Sequence, residues 1–259
     1  MVSGAQPLPS PMCSLVPATR VVGPQWVRDL RSTIPITLSN GAQVVVGAEG
    51  MLRAHVLGHI ESAFNRLLRN GDPLAKGHFV CVGLYANKER QARSFGQGYI
   101  VYGPSLLAAH GHPEALEFVA LHEFAHQLQL WRVIDDHQAR TAGAIRLEAP
   151  HLLFSSTNRG SELEADCVAA AFFRLARLYV PHRMWATQYG NVLVTALKMG
   201  DVDFAHHDHH GTGPERVAAA QAGVAVAEGM LAADPTGGRV NAGGLLTQCG
   251  LRVGSIGIR

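Results

Sequence analysis

The chain has 259 residues, of which 47% are hydrophobic and 16% are charged, and its formal net charge at pH 7 is +2. This length can bury a substantial core as one domain, and the composition excludes an intrinsically disordered chain and a strongly basic nucleic-acid surface. The small net charge gives no reason to expect a nucleic-acid partner. No apolar run is long enough to cross a bilayer, so no membrane span is expected either.

The two ends of the chain differ in composition from the part between them. Residues 1–30 begin with a proline-rich stretch that lacks the basic leader and apolar core of a signal peptide, which predicts an extended arm. Residues 31–236 predict a single domain, and the glycine-rich residues 237–259 predict a loosely packed tail. The four cysteines have no paired spacing, which favours reduced thiols and a cytoplasmic location. Nothing in the pattern indicates an oligomeric state.

Between these ends, hydrophobic periodicity and turn residues predict strands first and most helices afterwards. The Asn40-Gly41 pair is a strong hairpin signal, and Pro113 suits the first position of a long helix. The predicted strands cover 34–39, 42–46, 78–85 and 98–102, and the predicted helices cover 50–70, 113–132, 161–179, 183–199 and 214–231. This order predicts an α+β fold, in which a small mixed or antiparallel sheet is followed by a predominantly helical region.

The helix predicted over 113–132 carries the pattern His-Glu-x-x-His at His122, Glu123 and His126. Two imidazoles four residues apart lie on one face of a helix, where both can bind a single tetrahedral zinc ion. Glu123 lies about 100° round the helix from His122, so it can face a zinc-activated water without being a ligand. The structural alternative is a pair of hydrogen-bonded core histidines with Glu123 in a salt bridge.

A third ligand is expected from the acidic cluster that follows. A metzincin-type continuation would need glycine at position 129 and histidine at position 132, where the chain has Gln129 and Arg132. Ser161, followed three residues later by a glutamate, predicts a capping box at the start of the next helix. On that helix Glu162 can bind the metal while Asp166, one turn along, orients a ligand imidazole by accepting its other N–H. Alternatively, both are ordinary acids at a helix start, favoured by the helix dipole.

The two motifs together resemble those of the gluzincin class of zinc peptidases, in which a His-Glu-x-x-His helix is followed by a Glu-x-x-x-Asp helix. The stretch from Glu162 to Cys167 is similar to the signature of the heat-shock membrane protease and prenyl-protein protease group, and to that of bacterial neutral zinc metallopeptidases. The stretch from His210 to Arg216 resembles a later element of those families near the active site. The resemblance implies that His210 is a candidate transition-state donor and that Arg216 is a structural partner of an acid such as Asp166.

Two features keep alternatives open. Gluzincins place an edge strand before the zinc helix, where it binds an extended peptide; by resemblance residues 98–102 could have this role, or could form an ordinary sheet strand. The histidines at positions 206, 207, 209 and 210 could belong to a polar loop, could supply His210 to the main site, or could bind a metal independently.

The function predicted from these residues is hydrolysis of a peptide bond in a peptide or protein substrate, with one zinc ion as cofactor. His122, His126 and Glu162 are the predicted ligands, and Glu123 is the general base that passes a proton from the water to the leaving amine. His210 is a candidate donor to the oxyanion. The alternatives are a catalytically silent zinc-binding scaffold or regulator of the same fold, and a metal-dependent amidase acting on a small substrate.

Overall fold

The structure is a computed structural model of the chain. It describes residues 34–37, 43–46, 59–60, 62–64, 66–67, 70–72, 74–75, 81–85, 92–95, 99–102, 112–141, 158–200, 210–236 and 240–256. The predicted arm over residues 1–30 and the predicted turn at residues 40–41 lie outside the described residues. Side chains of the strands are described at Ala92, Ser94 and Ile100.

Five short strands pair into one sheet: β1 (Ile34–Thr37), β2 (Gln43–Val46), β3 (Cys81–Tyr85), β4 (Ala92–Phe95) and β5 (Tyr99–Tyr102). Their order in the sheet is β1-β2-β3-β5-β4. The β3–β5 pair is parallel, whereas the other pairs are antiparallel. Because β5 is paired with β3 on one side and β4 on the other, the interpretation of residues 98–102 as an edge strand is wrong.

Five helices follow: α1 (Pro113–Thr141), α2 (Asn158–Leu175), α3 (His182–Met199), α4 (Gly213–Ala233) and α5 (Ala242–Gly254). Helices α1 to α4 were predicted, with differences at their ends. Helix α2 begins three residues before Ser161, so the predicted capping box at that serine is wrong. A capping box is present instead at α4, between Thr212 and Glu215. None of the helices within the described residues is both long enough and apolar enough to cross a membrane.

Where the structure describes side chains as well as backbone, 79% of the residues are helical. The fold class of this part is all-α, so the α+β prediction is wrong. Of the described strand side chains, Ile100 is buried in the core and Ala92 packs against it. The rest of the buried cluster comes from helices, from the segment around residues 60–75 and from Val240 just before α5. Periodicity predicted the segments of β1, β2, β3 and β5 but missed β4, and it did not show that helix-to-helix packing forms the core.

Helix α2 lies at the centre of the helical domain. It packs against α1, α4 and α5, and its residues from Leu163 to Phe173 are all buried. Helix α4 approaches it at Gly223, where an added Cβ would lie 2.0 Å from the carbonyl oxygen of Cys167. The close contact therefore requires glycine at this position, and it fixes the spacing between the two helices.

A disulfide between Cys167 and Cys249 joins α2 to α5. The prediction of reduced thiols is therefore wrong for these two cysteines, and because disulfides persist in oxidising surroundings the bond weighs against a cytoplasmic location. The predicted loose tail is also wrong over Ala242–Gly254, which is a helix with five buried residues: Ala242, Leu245, Leu246, Cys249 and Val253. Its glycines lowered the local helix propensity, but the buried apolar face and the covalent link outweigh this.

Candidate metal centre

The His-Glu-x-x-His pattern lies in the middle of α1, with its two histidines one turn apart. Their rings lie at 87° to each other with centroids 4.6 Å apart, and the two Nε2 atoms are separated by 3.1 Å. Helix α1 is buried nearly all round at this point, because Leu121, Phe124 and Ala125 pack into the core. The side chains of His122, Glu123 and His126 therefore lie where little water is present, and each polar group there needs a partner.

Helix α2 brings Glu162 to the same point. Its Oε2 atom lies 3.1 Å from His122 Nε2, and its Oε1 atom lies 3.4 Å from His126 Nε2. One ligand atom from each of these three residues lies within 4.8 Å of the others. Ligand atoms bound to a tetrahedral zinc ion at about 2.0–2.1 Å are about 3.3 Å apart, so the observed spacings fit such an ion. The chain thus has a His-His-Glu cluster that could bind a metal ion.

A second carboxylate on α2 holds the ring of His122. His122 Nδ1 donates to Asp166 Oδ1 at 2.8 Å, and Asp166 is fully buried. The guanidinium of Arg216, from α4, donates to both oxygens of Asp166 at 2.7 and 2.9 Å. Asp166 and Arg216 thus lie where the sequence predicted them, behind the histidine, and the buried charge pair is satisfied from both sides.

The charges around His122 and Glu162 stabilise each other. Burial lowers the pKa of His122, but the carboxylates of Asp166 and Glu162 outweigh it and raise that pKa to about 10. Burial raises the pKa of Glu162, but the neighbouring imidazoles of His122, His126 and His210 lower it well below its usual range. The ligand atoms of His122, His126 and Glu162, which converge on one point, thus form a place that would attract a cation.

Glu123 is buried beside the cluster, with 6% of its surface exposed. Burial raises its pKa, while the neighbouring His126 and His122 act in the opposite direction. Its backbone carbonyl accepts a hydrogen bond from the Ser94 hydroxyl at 2.7 Å, which ties α1 to β4. Among the described residues, none donates a hydrogen bond to the Glu123 carboxylate, so this group is available for proton transfer.

His210 lies at the open side of the cluster, just before α4. Its Nδ1 atom is 3.3 Å from Glu162 Oε1, and 47% of its side chain is exposed. The structure therefore brings His210 to the predicted metal site. The other histidines of that segment, at positions 206, 207 and 209, lie outside the described residues, so their alternative roles stay predictions.

One residue that holds the second histidine was missed from the sequence. His126 Nδ1 lies 2.8 Å from Gln129 Oε1, and the Gln129 amide also bonds to Ser161 and Glu164 on α2. The available signal was spacing, because residues three apart on a helix are neighbours. In the sequence analysis Gln129 served only to exclude a metzincin continuation.

Comparison of the chain with protein-family models, with curated proteins and with solved structures finds no match. The class of site therefore rests on the chemistry and geometry of its own residues. These define a partly buried His-His-Glu cluster beside the buried carboxylate of Glu123.

Proposed function

We propose that this chain is a zinc metallopeptidase of the gluzincin type, which hydrolyses peptide bonds in a peptide or protein substrate. The observation that carries the proposal is the convergence of His122, His126 and Glu162 on one point. Both histidines use Nδ1 in bonds to acceptor oxygens, so both Nε2 atoms face Glu162 and each other. Such a set of converging acceptors is the ligand arrangement of a catalytic zinc site with three protein ligands.

His122, His126 and Glu162 would hold the metal ion. A bound zinc ion would supply Lewis acidity, which polarises a carbonyl group and lowers the pKa of water. Glu123 would act as the general base and then as the acid towards the leaving amine. Because burial raises its pKa, its carboxylate is a better base than an exposed one.

Two further residues would assist this chemistry without carrying a proton between reactants. His210 is exposed beside Glu162, where it could donate a hydrogen bond to the oxygen that becomes negatively charged. Arg216 neutralises the buried Asp166 and thereby keeps the His122 ring in one orientation. These two roles explain why the segment before α4 and its first turn lie at the metal cluster.

The proposal is tested with zinc binding and peptide cleavage measured on the same preparations. Wild-type protein loaded with zinc should cleave members of a fluorogenic peptide library. Glu123→Gln should retain one zinc ion but lose cleavage by about 10²- to 10⁴-fold, because the base is lost while the ligands remain. His126→Ala should lose both zinc and cleavage.

The matched control is Glu228→Gln, on the exposed side of α4, where the glutamate pairs with Arg174. This change should leave zinc binding and cleavage unaltered. Cleavage by Glu123→Gln at the wild-type rate would refute the role of the base. A wild-type protein that binds zinc but cleaves no peptide would instead favour the scaffold or amidase alternatives.

A further inference from the structure

The amide of Gln129 is placed where it can decide which nitrogen of His126 carries the proton. Gln129 is 3% exposed and lies on α1, three residues after His126. Its Oε1 atom lies 2.8 Å from His126 Nδ1 and accepts from Ser161 Oγ at 3.0 Å. Its Nε2 atom donates to the Ser161 carbonyl at 3.0 Å and to Glu164 Oε2 at 3.1 Å. All four hydrogen-bonding positions of the amide are therefore used.

This arrangement allows only one orientation of the amide. The carbonyl oxygen of Ser161 can only accept a hydrogen bond, so the nitrogen end of Gln129 must face it. The oxygen end then faces His126, whatever the protonation state of Glu164. An oxygen acceptor at 2.8 Å requires an N–H at His126 Nδ1, and a neutral imidazole has only one N–H. Its Nε2 atom consequently presents a lone pair towards His122 and Glu162.

We propose that Gln129 is a positioning residue, which fixes the Nδ1–H tautomer of His126 and keeps its Nε2 atom ready to bind a metal. The proposal rests on the metal-binding function proposed above and extends it to the second histidine. Gln129 does for His126 what Asp166 does for His122, but with a neutral amide in place of a carboxylate. Since Ser161 and Glu164 belong to α2, the same amide also holds His126 in register with Glu162, the ligand from that helix.

The test compares two substitutions at Gln129 with a matched control. Gln129→Met keeps an unbranched side chain of similar length but removes the acceptor, whereas Gln129→Glu keeps an acceptor oxygen towards His126. The control is Gln127→Met, since Gln127 is an equally buried glutamine of α1 whose amide donates to Ser94 Oγ at 2.6 Å. Thermal unfolding of each metal-free protein measures any loss of stability separately.

The first measurement is the tautomer of His126 in metal-free protein, from long-range ¹H–¹⁵N correlation spectra of the imidazole nitrogens. The wild type, Gln127→Met and Gln129→Glu should show the Nδ1–H form, and Gln129→Met should show a mixture. The second is the zinc dissociation constant, from competition with a chromophoric chelator. Gln129→Met should bind zinc about 10- to 100-fold more weakly, as is typical when the partner of a ligand histidine is lost.

The outcomes separate this proposal from the proposed function. An Nδ1–H tautomer and unchanged zinc affinity in Gln129→Met would overturn the positioning role alone. A mixture of tautomers in Gln129→Glu, or in the wild type, would also overturn it, and these results do not depend on whether Gln129→Met folds. If wild-type protein binds no zinc, the proposed function fails while the tautomer measurement still decides the role of Gln129.

Discussion

The disulfide between Cys167 and Cys249 should make a large contribution to stability, because it closes a long loop. The two cysteines are 82 residues apart in the sequence. The loop-entropy relation for a closed loop of this length gives about 4.5 kcal/mol at 25 °C, an upper value because the reduced chain keeps some structure when unfolded. We expect a loss of about 2–4 kcal/mol in the free energy of unfolding when the bond is removed.

The assay is urea unfolding of the oxidised protein followed by circular dichroism, for Cys167→Ala, Cys249→Ala and the double variant. Both sulfurs are buried, so each replacement also leaves a small cavity. The bond is lost in full with the first substitution. The double variant should therefore be destabilised by little more than either single variant, and the coupling between the two changes should be large.

Additive effects of the two substitutions would refute this reasoning. So would alkylation of both cysteines in protein unfolded without a reductant, as read by peptide mapping. Reduction of the wild type should reproduce the destabilisation of the double variant, apart from the cavity contribution. A wild type that is indifferent to reduction would show that packing of α5 against α2 holds the two helices together without the covalent link.

Two further predictions concern helix α4. Gly223→Ala should destabilise the fold by about 1–3 kcal/mol, since the new Cβ would meet the backbone of Cys167. Gly229→Ala, whose Cβ would have nothing within 4 Å, should stabilise the fold by about 0.5–1 kcal/mol. Urea unfolding measures both changes in the free energy of unfolding, and changes of the same sign would contradict the close approach of α4 to α2 at Gly223. Burial raises the pKa of Glu215, but hydrogen bonds from Arg159 and the helix cap outweigh it and lower that pKa. The stability that wild type gains over Glu215→Gln should therefore be present above about pH 4.5 and disappear as the pH falls below it, and a pH-independent difference would exclude this ion pair as its source.

The parts of the site that the sequence predicted are those fixed by local spacing. His122 and His126 are one turn apart in any helix, and Glu162 and Asp166 are likewise one turn apart, so each pair had to share a face once its helix formed. Both helices are present, and the two faces meet in the structure. Spacing alone could not tell that α1 and α2 cross where these faces meet, and the resemblance to gluzincins supplied that step.

The features that were missed depend on tertiary contacts. Ser161 fits a helix cap by local pattern, yet α2 begins earlier, and the hydroxyl of this serine bonds to Gln129 on α1 instead. Cys167 and Cys249 are 82 residues apart, and no sequence pattern indicates that cysteines at such a separation form a disulfide. The fold class was misjudged for the same reason, because periodicity assigns elements one at a time and cannot tell which of them share a core.

The different partners of the two histidines can be explained by the charges around them. With their carboxylates ionised, Glu123, Glu162 and Asp166 contribute three negative charges, and Arg216 returns one positive charge. Neutral imidazoles therefore leave an excess of two negative charges, which a bound divalent cation would balance. A carboxylate in place of Gln129 would lie beside the buried carboxyl group of Glu164, which the Gln129 amide contacts at 3.1 Å, and two buried carboxylates side by side are costly. A neutral amide accepts from His126 Nδ1 without that cost, which accounts for the different partners of the two histidines.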